Sequence, residues 1–218
     1  MLNAFRYGLL LGTLLGLSLL AACSSQFHTA QEPLPLLSIG VVNFSQPTND
    51  LELMAGYLPD NQGAIDPHAL LRLDAGFRAA LDKTGRSYTY LGAVSPHGEQ
   101  KSSSFERFGS GNALHYWIGV GKKADVDFLI VPMVVDWHER EGSGAGVTVS
   151  ASVITDIFLI DARGQGNLLQ RSYYREKQVG LANDLLNFAA FFRRGGKWVT
   201  AEALAQEAMR KAIQEFGL

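Results

Sequence analysis

Cysteine is almost absent from this chain: Cys23 is the single one among 218 residues. That excludes an internal disulfide framework and every metal centre assembled from several thiolates. Histidine is thin as well, five residues scattered along the chain, with no spacing that gathers ligands. There is no surplus of positive charge, 19 basic residues against 21 acidic, so the basic footprint of a nucleic-acid partner is missing. No Gly-x-Ser-x-Gly elbow occurs, which removes the local signature of one large hydrolase class. The glycines Gly142, Gly144 and Gly146 precede a strand pattern rather than a helix, so they fit a hairpin loop and not a dinucleotide site. Gly121-Lys122-Lys123 lacks the upstream glycine and the following hydroxyl residue of a phosphate loop. His138 and Glu139 are neighbours on an extended segment, hence on opposite faces, and cannot share one metal ion. His115 lies among aromatics on a helical pattern and reads as a packed or solvated side chain. The expectation is a protein that is not an enzyme, with no cofactor and no metal.

What is present begins at the amino terminus. Met1 to Ala22 carries one charge, Arg6, and an apolar run from Leu9 to Leu20. A membrane-spanning helix needs about 20 apolar residues, so this run suits a secretory signal over residues 1–22. Leu20-Ala21-Ala22-Cys23 resembles the lipobox of bacterial lipoproteins, which implies cleavage before Cys23 and acylation of that residue. Each buried methylene contributes about 0.8 kcal/mol, and two or more chains anchor stably where one does not. Ser24 follows the lipid-bearing position, which in lipoprotein sorting implies the outer membrane, facing the periplasm. Losing Arg6 with the leader leaves 18 basic against 21 acidic residues. Residues 23–35, polar and then proline-bearing, read as a tether, and 36–218 as one domain.

That domain opens with an apolar run of strand length, Leu36 to Phe44. A loop from Ser45 to Ile65 follows, and its Leu51, Leu53, Met54, Tyr57 and Leu58 suggest that parts of it pack down. Asp66-Pro67 is a cap and first-turn pair that predicts a helix to about Gly85. Tyr88 to Leu91 reads as a short strand, and Asn112 to Lys123 as a second helix. Asp127 to Trp137 is apolar on both faces; Pro132 within it predicts an edge position or a bulge. Val147 to Ile160 alternates as one long strand, Leu168 to Gln178 returns as another, and the three form an antiparallel meander. A last helix is expected from Thr200 to about Phe216. The fold class is α/β (α+β): a mixed, largely antiparallel sheet with helices packed on its faces.

Between the meander and the last helix, Leu181, Leu185, Leu186, Phe188, Phe191 and Phe192 fall at helical spacings, ahead of Arg193, Arg194 and Trp198. Two readings stay open for this stretch. One is a contact with a membrane interface or a partner through Phe188, Phe191, Phe192, Arg193, Arg194 and Trp198. The other is a helix packed on the sheet with solvated terminal charges. Three segments carry a family resemblance: Ile39-Gly40-Val41-Val42-Asn43-Phe44, Ala124-Asp125-Val126-Asp127-Phe128-Leu129-Ile130, and Val153 through Gly164. In these the chain resembles bacterial envelope lipoproteins with the amino-terminal domain fold of TolB, of CsgG, LpoB and PelC type. The resemblance implies a membrane-anchored, non-catalytic adaptor or assembly factor for an export or cell-wall complex. It also implies a protein partner or self-association, including a homo-oligomeric ring. The alternative is a subunit of an oligomeric outer-membrane secretion channel.

Overall fold

The apolar run near the start of the domain forms β1, Ile39–Val42, buried along its whole length. The computed structural model describes residues 37–94, 111–143, 146–178 and 195–218. The leader, Cys23, the tether, and Phe188, Phe191, Phe192, Arg193 and Arg194 lie outside them. Beyond β1 come α1 (Pro67–Leu81), β2 (Tyr88–Gly92), α2 (Gly111–Lys123), β3 (Phe128–His138), β4 (Glu141–Gly142), β5 (Val147–Val149), β6 (Ser152–Asp161), β7 (Asn167–Lys177) and α3 (Ala201–Glu215). Five strands make the main sheet in the order β2-β1-β3-β6-β7, while β4 and β5 pair separately. β1 runs parallel to both β2 and β3. The β3–β6 and β6–β7 ladders are antiparallel and longer, so the sheet is mixed and largely antiparallel, as expected.

Topology decides which face each helix covers. The connection from β1 to β2 moves one way along the sheet, and the connection from β2 to β3 moves back past β1. Right-handed crossovers taken in opposite directions place their helices on opposite faces. Accordingly Leu73 and Phe77 of α1 join one core layer with Ile39, Ile130, Val153, Ile157, Leu204 and Met209. Trp117 and Ile118 of α2 join the other with Val42, Leu129, Val131, Phe158 and Ile160. The N-terminal ends of α1 and α3 are capped from the sequence alone. Asp66 Oδ1 accepts from the His68 amide at 2.8 Å, with Pro67 in the first turn. Thr200 Oγ1 accepts from the Ala203 amide at 3.2 Å. Gly85, at φ 76°, ends the turn after α1 in the left-handed region that glycine tolerates.

Two strand expectations are corrected. β3 is the central strand, not an edge, although Pro132 sits in it opposite Ile157. Pairing with β1 stops at Ile130. At Pro132 the neighbouring chain has already left β1, returning only as a bridge from Ser45 to Met133. The Pro132 carbonyl still accepts from the Ser45 amide at 3.3 Å, so the missing N–H falls on the side where the ladder has ended. The register irregularity lies further on, between Val134 and Asp136. The expected long strand Val147 to Ile160 is in fact two, β5 and β6, interrupted at Ser150 and Ala151. Val149 is exposed, whereas Ala151 and Val153 are fully buried. One period-2 pattern therefore spans two structural environments.

Candidate functional site

The 45–65 loop packs down, as its apolar residues suggested. Leu53 is 1% exposed, and Met54, Ala55 and Leu58 lie against the α2-side core. Polar side chains tie the rest to β3. Gln62 Nε2 donates to the carbonyls of Pro47 and Val135 at 2.9 and 2.8 Å. The Gly63 amide donates to Asp136 Oδ1 at 2.8 Å, and Gln46 Nε2 donates to the Gly63 carbonyl at 2.7 Å. A Cβ at Gly63 would lie 2.0 Å from the Trp137 carbonyl oxygen, so only glycine allows this approach. Inside the loop, buried Glu52 accepts from the Thr48 amide and hydroxyl at 3.1 and 2.8 Å and from the Asn49 side-chain amide.

Held this way, the loop forms one wall of a groove of about 770 Å³. The rest of its lining comes from the end of β3, Val149 and Ser150, the first half of β6, and β7 beside it in the same sheet. The period-2 geometry of β7 explains its two characters. Ser172 and Tyr174 turn to α3, donating to Glu215 Oε2 at 2.5 Å and Glu207 Oε2 at 2.9 Å. Arg171, Tyr173, Arg175 and Lys177 face the groove, all exposed.

At the floor Asp156, 1% exposed, accepts a bidentate pair from Arg171. Nε lies 2.9 and 3.1 Å from the two carboxylate oxygens, and Nη2 lies 2.7 Å from Oδ2. Burial pushes the Asp156 carboxyl above its ordinary range, and the Arg171 guanidinium opposes that shift. The same guanidinium is 5.1 Å from the Tyr173 ring centroid, so one residue links the buried acid to the exposed aromatic. Gly56, at φ +80°, passes over it; a Cβ there would be 3.6 Å from Arg171 Nη2. At the β3 end, His138 Nε2 and Asp136 Oδ1 are 3.1 Å apart. Asp156 and Arg171 are thus committed to each other, and Asp136 to the Gly63 amide and His138. By contrast Arg175 and Lys177 make no ion pair among the described residues.

Of the described large hydrophobic side chains that stay exposed, Tyr57, Leu71, Val149, Leu169 and Tyr173, three line this one groove: Tyr57 at 84%, Val149 at 45% and Tyr173 at 43%. Trp198, the described member of the expected aromatic and basic contact, is elsewhere. It is half-buried just before α3, and its carbonyl accepts from the Arg140 guanidinium. His115 is exposed on α2. Among the described residues no group of three His, Cys, Asp or Glu side chains is placed to hold a metal ion. Of the groove residues, the sequence reads Tyr57 and Leu58 as packing and sets His138 aside as a metal ligand. It does not single out the β7 row, although Arg171-x-Tyr173-x-Arg175-x-Lys177 is a period-2 signal that marks it.

The fold and the groove define an α/β domain whose sheet presents an open, charged and aromatic cleft on one face. No protein-family model matches the chain, and no curated protein matches it. Among solved structures it is similar to the PelC dodecamer of Paraburkholderia phytofirmans at 11% identity, covering 85% of this chain and 93% of that one with a TM-score of 0.45. It is also similar to the hypothetical protein CT253 of Chlamydia trachomatis, at 8% identity, 83% and 96% coverage and a TM-score of 0.43. The lipoprotein GNA1162 of Neisseria meningitidis matches at 14% identity, 73% and 93% coverage and a TM-score of 0.36. Likenesses at this level concern backbone architecture, and no function is transferred from them.

Proposed function

We propose that this chain is an envelope lipoprotein, anchored at the outer membrane through lipid on Cys23, that works as a non-catalytic adaptor or assembly factor. The observation that carries the docking role is the groove under the 45–65 loop, where Tyr57, Val149 and Tyr173 stay exposed together. Isolated exposed hydrophobics are ordinary, but a cluster in one concavity supports a contact site. Pairing within the site supports the same reading. Arg171 is held by Asp156, which fixes the shape of the floor. The anchor reading rests on Leu20-Ala21-Ala22-Cys23.

The competing reading is a channel subunit. A membrane strand needs about 9 to 11 residues with one lipid-facing side. Of the described strands long enough, β3 is buried on both faces apart from its last residue, and β6 is buried except at its ends. The third, β7, turns Ser172 and Tyr174 to α3, while its exposed face carries Arg171, Arg175 and Lys177 instead of an apolar band. β3 and β6 are therefore committed to the domain core, and β7 lacks a lipid-facing apolar side. Two experiments test the proposal. Cys23→Ser should release the protein from the membrane fraction or leave the uncut precursor; unchanged processing and membrane retention would overturn the anchor. The purified full chain in a planar bilayer should be electrically silent, and discrete conductance steps would replace the adaptor by the channel.

A further inference from the structure

We infer that the groove binds an extended acidic peptide of a partner protein, laid along the face of β7 between that strand and the Ala55–Pro59 wall. The inference rests on the adaptor reading and names the chemistry of its partner. Its first support is charge. Arg171 is neutralised by Asp156, whereas Arg175 and Lys177 are exposed on the same face with no ion pair among the described residues. The acidic side chains of the lining are all engaged, Asp156 by Arg171, Asp136 by the Gly63 amide and His138, and Glu176 in an interaction of its own. The two unpaired charges are therefore both cations and favour an anionic occupant.

The second support is spacing. Alternate residues of a strand are about 6.6 Å apart, so the row from Arg171 to Lys177 spans about 20 Å. An extended peptide repeats its own side chains at that same interval, whereas a helix returns to one face every 5.4 Å or so. Carboxylates at every second position would therefore meet Arg175 and Lys177 in register. The intervening contacts are supplied by Tyr57, Tyr173 and Val149, which are exposed in the same cleft. Tyrosine provides large contact area with little conformational entropy to lose. A flat anionic membrane fits less well, because the cations line a concavity shared with the Ala55–Pro59 segment and not a flat face.

The test uses the full chain in detergent and a fluorescently labelled peptide of about ten residues alternating glutamate with serine or leucine, read by anisotropy. Its counterpart carries glutamine at every glutamate. The acidic peptide should bind about tenfold or more tighter than the glutamine peptide and weaken steeply with salt. The double variant Arg175→Glu/Lys177→Glu should lose about tenfold or more, with unchanged circular dichroism because both side chains are exposed. Tyr57→Ser should lose a few-fold, while Lys83→Glu, a distant exposed cation, should bind as the parent does. Equal affinity for both peptides, or an indifferent double variant, overturns the inference. So does capture of phosphatidylglycerol vesicles or alginate through Arg175 and Lys177 with no peptide bound. A silent bilayer with no peptide bound sinks this inference and leaves the adaptor standing. Conductance with peptide bound does the reverse.

Discussion

The two faces of the sheet are finished differently. On one, α1 and α3 lie side by side over β1, β3 and β6 and close the core with Leu73, Phe77, Leu204 and Met209, each 2% exposed or less. On the other, α2 covers one end with Trp117 and Ile118, and the 45–65 loop covers part of the rest. Among the described residues, what that loop leaves uncovered is the groove. A helix buries an apolar stripe and satisfies its own backbone. A loop cannot, so it is fastened by Gln46, Gln62 and Gly63. The closed face therefore supplies stability, and the face finished by a loop has room for a site.

The sharpest way to break this contrast is to damage the closed face. Phe77→Ala removes a buried ring in edge contact with Phe44 at 5.6 Å and should cost about 3–5 kcal/mol in urea unfolding. At the floor of the open face, Arg171→Ala should cost about 2–3 kcal/mol, because Asp156 is left buried and unpaired. That loss should shrink on acidification. The folded-state carboxyl titrates above its unfolded value, so the native state holds its proton longer and this group's contribution falls as pH rises through that window. Asp156→Asn should remove the slope. Gly63→Ala should cost about 2 kcal/mol and expose the loop to limited proteolysis, since the added Cβ meets the Trp137 carbonyl. Back on the closed face, Thr200→Ala removes the α3 cap and should cost about 1 kcal/mol. Tyr57→Ser should change stability by less than about 0.5 kcal/mol. A large loss there would mean that Tyr57 serves the fold instead of a contact.

How much of this was legible varies with the physics involved. α1 and α3 follow from local signals, a capping side chain followed by an apolar stripe, and their observed bounds match the reading closely. β3 was legible as a strand; the edge alternative at Pro132 fails, while a register irregularity does occur in β3, between Val134 and Asp136. Whether Pro132 is tolerated depends on where a strand remote in sequence stops pairing, and no local pattern encodes that. The break at Ser150 and Ala151 was hidden for a similar reason: alternation continues across it while burial does not. The contact expected at Phe188, Phe191, Phe192, Arg193 and Arg194 lies outside the described residues. The groove drew no notice beforehand because its members come from the loop, β3, β5, β6 and β7.

By itself the sequence determined the types of the described elements, both cappings and the mixed α/β class. These depend on neighbours within a few positions, where sterics and hydrogen bonding act directly. Only the tertiary structure decided that α1 and α2 lie on opposite faces, that β3 is central, and that Arg171 is tied to Asp156 while Arg175 and Lys177 are left open. Those outcomes depend on which strands pair, and pairing brings together charges and rings far apart in the chain. Among the described residues, the 45–65 loop and not α1, α2 or α3 borders the groove.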